Sequence, residues 1–383
     1  FLPDKQFSGG LSVARSTSVF SHYLKIYILG KFDSFGNPAA GRREMTFKGG
    51  YTALVTPMRE DCSIDYAGLE KLIDFQIANG IQGVLAVGTT GESPTLIWEE
   101  HNDVIERTCK QAEERCAAIA GTGSNSTRET LDSSAHAAHV GADAVLLVDP
   151  YYNGPSSLEI RREYVEPVAR EYPEIQIIPY IIPGRTGTMM QVEDLAILAA
   201  EYDNVATVKE ATGDLENMAK TRKLCGSDFA ILSGDDDKTV AMMKSEDIAA
   251  AGVISVMSNI IPGSIQKLTE LLNAGEYAAA DELAAKLQPL LGIVGVATQE
   301  ESRFGSVECK ARNPLPIKTL MNILGMPSGP CRPPLGKMTR AGIQVVLEAA
   351  RQAHVNDPAT LAPIGEFFGV DVEARLQDEG LIE

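Results

Sequence analysis

Alternation constrains this chain more than any other feature. From Gly50 onward, short apolar runs rich in β-branched residues take turns with helix-length stretches. The strand-like runs are 51–57, 81–87, 117–121, 143–148, 175–181, 205–209, 229–233 and 252–257. Between them lie amphipathic or alanine-rich stretches at 66–79, 97–116, 127–140, 157–171, 192–201, 215–224 and 237–244. Continuously apolar strands joined through helices call for a parallel sheet covered on both faces. Eight such units in series predict a (β/α)8 TIM barrel, an α/β fold. The competing doubly wound sheet would carry a Gly-rich GxGxxG turn after its first strand, and none follows 51–57.

The chain has 383 residues, 44% of them hydrophobic, enough for a large core. Its formal net charge of −18 argues against nucleic acid and anionic membrane surfaces as partners, though not against small anionic substrates. Six cysteines, Cys62, Cys109, Cys116, Cys225, Cys309 and Cys331, are scattered without a CxxC pair or a His/Cys cluster. That pattern predicts reduced thiols, a cytosolic setting and no structural zinc. No uninterrupted apolar run approaches the ~18 residues that would span a bilayer. Four segments are expected: a leader or disordered arm at 1–44, the barrel at 45–258, a C-terminal helical extension at 259–353 and an acidic tail at 354–383. A transit peptide or an ordered arm competes with the leader reading of 1–44.

In a barrel of this kind, chemistry gathers at the C-terminal ends of the strands. There the sequence places Thr56-Pro57, Gly88-Thr89-Thr90-Gly91-Glu92, Gly121-Thr122-Gly123-Ser124-Asn125 and Asp149-Pro150-Tyr151-Tyr152-Asn153. Tyr180 and Pro183-Gly184-Arg185-Thr186-Gly187 follow, then Lys209, then Ser233-Gly234-Asp235-Asp236. Lys209 ends an apolar strand, where a lysine is out of place unless it is used. It either reaches solvent or pairs with Glu210, or it is a desolvated amine able to attack a carbonyl. Around it are hydroxyls, tyrosines and one guanidinium, with no His and no metal cluster. A phenol linked to hydroxyls can service imine chemistry, glycine-flanked threonines can hold a carboxylate, and Arg185 can hold a second one bidentately. The inventory points to a 2-oxo acid bound as an imine and joined to, or released from, an aldehyde, without metal or organic cofactor.

The five motifs GTTGE, PYYN, PGRTG, VKEATGD and SGDD, in that order and each at a strand end, resemble those of the dihydrodipicolinate synthase / N-acetylneuraminate lyase family of Schiff-base aldolases. The resemblance runs from about Gly49 to about Ala353. It implies that Lys209 forms the imine with pyruvate and that Tyr180 shuttles protons. Thr89 would link Tyr180 to Tyr152, which in the family reaches the site from a neighbouring subunit of a homo-oligomer, a dimer or tetramer. Thr90 would bind the pyruvate carboxylate and Arg185 the carboxylate of the aldehyde, while Gly234 and Ile254 would shape the pyruvate pocket. Thr89 and Arg185 favour the synthase branch, which condenses pyruvate with aspartate semialdehyde on the route to diaminopimelate and lysine in the cytoplasm.

Alternatives stay open. A related aldolase acting on a 2-oxo-3-deoxy sugar acid or N-acetylneuraminate shares the lysine and the tyrosine, and a barrel could bind 2-oxo acids without turnover. Ile181 stands where synthases usually have Asn, Pro179 precedes Tyr180, and 299–312 is longer than the family's connection. The resemblance also implies a lysine-binding regulatory cleft formed by Ser93, Trp98, His101, Asn125, Glu129 and Tyr151. Trp98, the chain's only Trp, would there cover the aliphatic stem or else simply pack a subunit contact. His136 and His139 read as ordinary helix residues.

Overall fold

The computed structural model describes residues 47–382. The expected arm at 1–44 lies outside the described residues. Eight parallel strands close into a barrel in sequence order: β1 Gly49–Ala53, β2 Gly83–Ala86, β3 Ala117–Gly121, β4 Ala144–Val148, β5 Gln176–Ile181, β6 Thr207–Glu210, β7 Ala230–Ser233 and β8 Gly252–Ser255. The strands are shorter than the apolar runs, because the runs continue into buried turns at the barrel rim. Closure sets Tyr51 opposite Gly83 on one side and Ile254 on the other. The seam is tight enough that a Cβ at Gly252 would meet the Gly49 carbonyl oxygen at 2.0 Å, so only glycine fits there.

The outer layer starts with α1 Tyr66–Ala78, α2 Trp98–Ala112 and α3 Thr127–His139. Next comes α4, built from Ser157–Glu159, a wider π turn Ile160–Val165 and Glu166–Glu171. It is followed by α5 Val192–Glu201, α6 Leu215–Cys225, α7 Thr239–Lys244 and α8 Pro262–Asn273. Local chemistry sets several helix starts. Asp65 accepts from Gly68 N at 3.1 Å, and Asp214 accepts from Glu216 N at 3.0 Å, each satisfying an otherwise orphaned first-turn donor. Because α8 packs on β1 and β8, the barrel runs past the expected boundary at 258.

The C-terminal extension is not wholly helical. Helix α9, Tyr277–Leu291, leads into a hairpin of β9 Gly295–Ser302 and β10 Gly305–Arg312, before α10 Leu315–Ile323 and α11 Arg340–Asn356. The long connection at 299–312 comprises the end of β9, the hairpin's turn and all of β10, whose residues alternate polar with apolar or small. Residues read as an acidic tail fold as well, into α12 Ala362–Phe368 and α13 Val372–Gln377. Asp371, Glu373 and Asp378 are exposed, while Phe367 and Phe368 bring their rings 5.4 and 5.1 Å from Phe75 of α1. Arg375 then donates to Ile323 O at 2.6 Å. Among the described residues, no helix is long and apolar enough to cross a membrane.

Candidate active site

Lys209 projects from the end of β6 and is only 4% exposed. Its register partner on β5 is Tyr180, and the lysine Nζ lies 4.3 Å from the centre of that ring. Adjacent parallel strands thus carry the amine and the phenol side by side. Burial lowers the Lys209 pKa to about 8, against the opposing pull of the Asp236 and Asp235 carboxylates, with Arg185 adding to the depression. Burial likewise raises the Tyr180 phenol above its ordinary value, while Arg185 and a hydrogen bond with Thr89 pull it back. At neutral pH the pair therefore comprises an amine with an appreciable neutral fraction and a phenol that keeps its proton.

A cavity of about 190 Å³ opens on the Tyr180 side of the pair, lined by Thr89, Tyr151, Tyr180 and Arg185 together with main-chain glycines of the β2 and β3 turns, while Lys209 lies behind Tyr180 and does not line it. Thr90 is buried and its hydroxyl accepts from Asn313 Nδ2 at 3.0 Å. Arg185 sits on the single helical turn Pro183–Thr186 and donates to Asn313 O at 3.1 Å. Gly234 abuts the lysine stem: a Cβ there would lie 2.7 Å from Ala211 Cβ and 3.3 Å from Lys209 Cε. Ile254 is fully buried in β8, within the barrel rather than on the cavity wall. Tyr152 points away from this chain, at 84% exposed.

The six residues of the expected regulatory cleft fall into two groups. Ser93 Oγ lies 3.2 Å from His101 Nε2, and the His101 ring lies 4.9 Å from that of Trp98. His101 is buried, and desolvation, with His136 adding to it, lowers its pKa to about 4, so it is neutral. Across the β3 and β4 turns, Asn125 Oδ1 accepts from Tyr151 N at 2.7 Å and from Tyr152 N at 3.1 Å. Glu129 accepts from Ser124 Oγ.

Several supports escaped the sequence reading. Glu92, last residue of GTTGE, is fully buried and ion-paired to Lys318 of α10 at 2.6 Å. That ammonium also donates to Thr56 O at 3.1 Å and Pro330 O at 2.8 Å, so its three donors are all used. Arg332 N donates to the other Glu92 oxygen at 2.7 Å. One sign was legible: Lys318 interrupts the apolar stripe Ile317, Leu320 and Met321. Asp149 is a second case. Its Oδ2 accepts from Met190 N at 3.1 Å, and burial raises its pKa to about 7.

A closed parallel barrel with a desolvated amine against a phenol at its mouth defines a Schiff-base lyase. The sequence model of the dihydrodipicolinate synthetase family matches residues 46–353, and the chain belongs to that family. It is 40% identical over 294 residues to a 4-hydroxy-tetrahydrodipicolinate synthase of Methanococcus maripaludis, covering 77% of this chain and 94% of that one. A 4-hydroxy-tetrahydrodipicolinate synthase of Aquifex aeolicus is 39% identical over 293 residues, covering 76% of this chain and 93% of its own. Among solved structures, a dihydrodipicolinate synthase from Aquifex aeolicus superposes with TM-score 0.73 at 37% identity, covering 81% of this chain and 99% of its own. One from Cyanidioschyzon merolae with lysine bound gives TM-score 0.73 at 33% identity, with 81% and 99% covered.

Proposed function

We propose that this chain condenses pyruvate with aspartate semialdehyde to 4-hydroxy-tetrahydrodipicolinate through an imine on Lys209. The observation that carries the proposal is the buried Lys209 amine, its pKa lowered to about 8, held 4.3 Å from the centre of the Tyr180 ring. The neutral Nζ attacks the C2 carbonyl of pyruvate. Tyr180 donates a proton as the carbinolamine forms and as its hydroxyl leaves as water. Loss of a C3 proton from the iminium to the Tyr180 oxygen gives an enamine, which adds to the aldehyde carbon, and attack of the aldehyde substrate's own amine on the imine carbon then closes the ring and frees Lys209. Thr89 relays protons between Tyr180 and Tyr152. The Thr90 hydroxyl holds the pyruvate carboxylate, Arg185 holds that of the aldehyde, Gly234 leaves room at the lysine stem, and Ile254 backs the pyruvate pocket from within the barrel.

The exposure of Tyr152 at the mouth supports a homo-oligomer in which a neighbour's Tyr152 completes the relay. The family fits a cytoplasmic enzyme of lysine and diaminopimelate biosynthesis. The proximity of Ser93, Trp98 and His101 supports a lysine-binding cleft together with Asn125, Glu129 and Tyr151. Borohydride reduction in the presence of pyruvate, followed by mass spectrometry of the Lys209 peptide, tests the imine. An unmodified lysine refutes enzyme chemistry of this kind. A coupled assay with aspartate semialdehyde, run beside sugar-acid substrates, then tests the second substrate.

A further inference from the structure

The β9–β10 hairpin has eight register pairs, yet every residue of β10 except Cys309 and Ala311 is exposed. Strand β9 leans on α11, where Thr298 Oγ1 lies 3.2 Å from Thr339 Oγ1. Among the described residues no strand lies on the outer side of β10. A two-stranded ribbon is marginal in water, and an unpaired edge is a template for another strand.

The direction of that edge's donors can be read from one bond. Asn313 N donates to Val294 O at 3.0 Å, directly opposite in the hairpin register. Main-chain polar groups alternate along an antiparallel strand, so those of Ala311, Cys309 and Val307 turn toward β9. The groups of Ser306, Glu308, Lys310 and Arg312 turn outward. We propose that β10 is a self-association edge, pairing antiparallel with β10 of a second copy about a twofold axis at Cys309.

Charge selects that axis. An axis at Glu308 or at Lys310 sets like charges face to face, and one at Ala311 sets Lys310 against Arg312. An axis at Val307 overlaps little more than half the strand. At Cys309 the overlap runs from Ser306 to Arg312, and Glu308 of each copy faces Lys310 of the other as a hydrogen-bonded pair. Opposite charges directly across a ladder favour pairing, and like charges oppose it. The half-exposed Val307 meets Ala311 on the inner face. Cys309, a free thiol, meets itself at a non-hydrogen-bonded position. There Cα atoms approach to about 4.5 Å, within the roughly 4.4–6.8 Å range of a disulfide.

Charge exchange provides the test. Within the hairpin Glu308 faces Gln299 and Lys310 faces Ala297, so reversing either charge leaves the ribbon's own pairs neutral. Sedimentation of the full chain across concentrations is compared for the wild type, Glu308→Lys, Lys310→Glu and the double exchange. Each single variant is expected to weaken one association step at least tenfold, and the double exchange to restore it. Diamide, which takes up the two hydrogens, is expected to give a Cys309–Cys309 linked dimer in the wild type and none in Cys309→Ser. Equal association in all four proteins, or failure of the double exchange to restore it, overturns the proposal. So does a Cys309 disulfide to another cysteine of its own chain, which would show the edge covered from within. The pyruvate imine is trapped on the same samples, and its failure bears on the catalytic reading alone.

Discussion

The depressed Lys209 amine makes a quantitative prediction about imine formation against pH. With a pKa of about 8, roughly one tenth of the amine is neutral at pH 7 and roughly nine tenths at pH 9. The rate of imine formation should therefore rise about tenfold over that interval and then level off. A solvated lysine near pKa 10.4 would rise about a hundredfold over the same two units and keep climbing past pH 10. Asp235→Asn sharpens the test. The Asp235 carboxylate supports the ammonium, so its removal should move the midpoint to lower pH and leave the plateau where it was. Asp235 is the better choice because its loop is tied through the main chain, where its carbonyl accepts from Ser233 Oγ at 2.8 Å and Thr239 Oγ1 at 3.0 Å. The carboxylate of Asp236, by contrast, holds Ser255 Oγ and the N–H groups of Val256 and Met257. Protein is mixed with pyruvate at each pH, aliquots are quenched with borohydride in one common buffer, and intact mass gives the reduced adduct. A wild-type rate with no plateau below pH 10, or an Asp235→Asn midpoint shifted upward, would refute the desolvation account.

Three further outcomes are expected. Lys209→Met should stabilise the fold by up to about 3 kcal/mol at pH 7, because a pKa of about 8 against about 10.4 unfolded penalises the native state. The unfolded chain binds the extra proton between those values, so native stability rises with pH there and the variant's advantage should vanish by about pH 11 in urea titrations. Lys318→Met should cost about 3–5 kcal/mol by leaving the Glu92 charge buried and unpaired, and adding Glu92→Gln should recover part of that loss in the same titrations. Gly234→Ala should slow pyruvate trapping at least tenfold with an unchanged circular dichroism spectrum, since the new methyl would press on Ala211 and the lysine stem.

The barrel was legible because its strands are buried on both faces, which leaves runs too apolar and too short to be anything else. The amine was legible for a related reason, as a charge at the end of such a run. What the sequence hid were pairings between distant segments. Nothing near Thr90 announces that Asn313 will hold it, and in the polar stretch after α9 the only mark of a ribbon is the short alternation of Val307, Cys309 and Ala311 with polar residues. The charged tail misled because composition reports its exposed face. Its anchoring rings, Phe367 and Phe368, are two residues among many acids.

The C-terminal layer consequently belongs to the chemistry as well as to the architecture. Thr90 and Glu92 lie on one turn after β2, and both are held by residues more than 200 positions later: Asn313 on the hydroxyl and Lys318 on the carboxylate. Asn313 Nδ2 donates to the Thr90 oxygen, so the threonine's own proton must be directed elsewhere. The same turn also carries Thr89, which lines the cavity beside Tyr180. The amide oxygen of Asn313 is itself buried without a partner, and its main-chain oxygen steadies Arg185. A single asparagine at the end of the hairpin thus touches both groups assigned to carboxylates. The barrel supplies the amine and the phenol from adjacent strands, but the two groups proposed to hold carboxylates around them are both braced by Asn313 from outside the barrel. Divergence of substrate among barrels with the same lysine and tyrosine is therefore expected to track this later segment more closely than the strands.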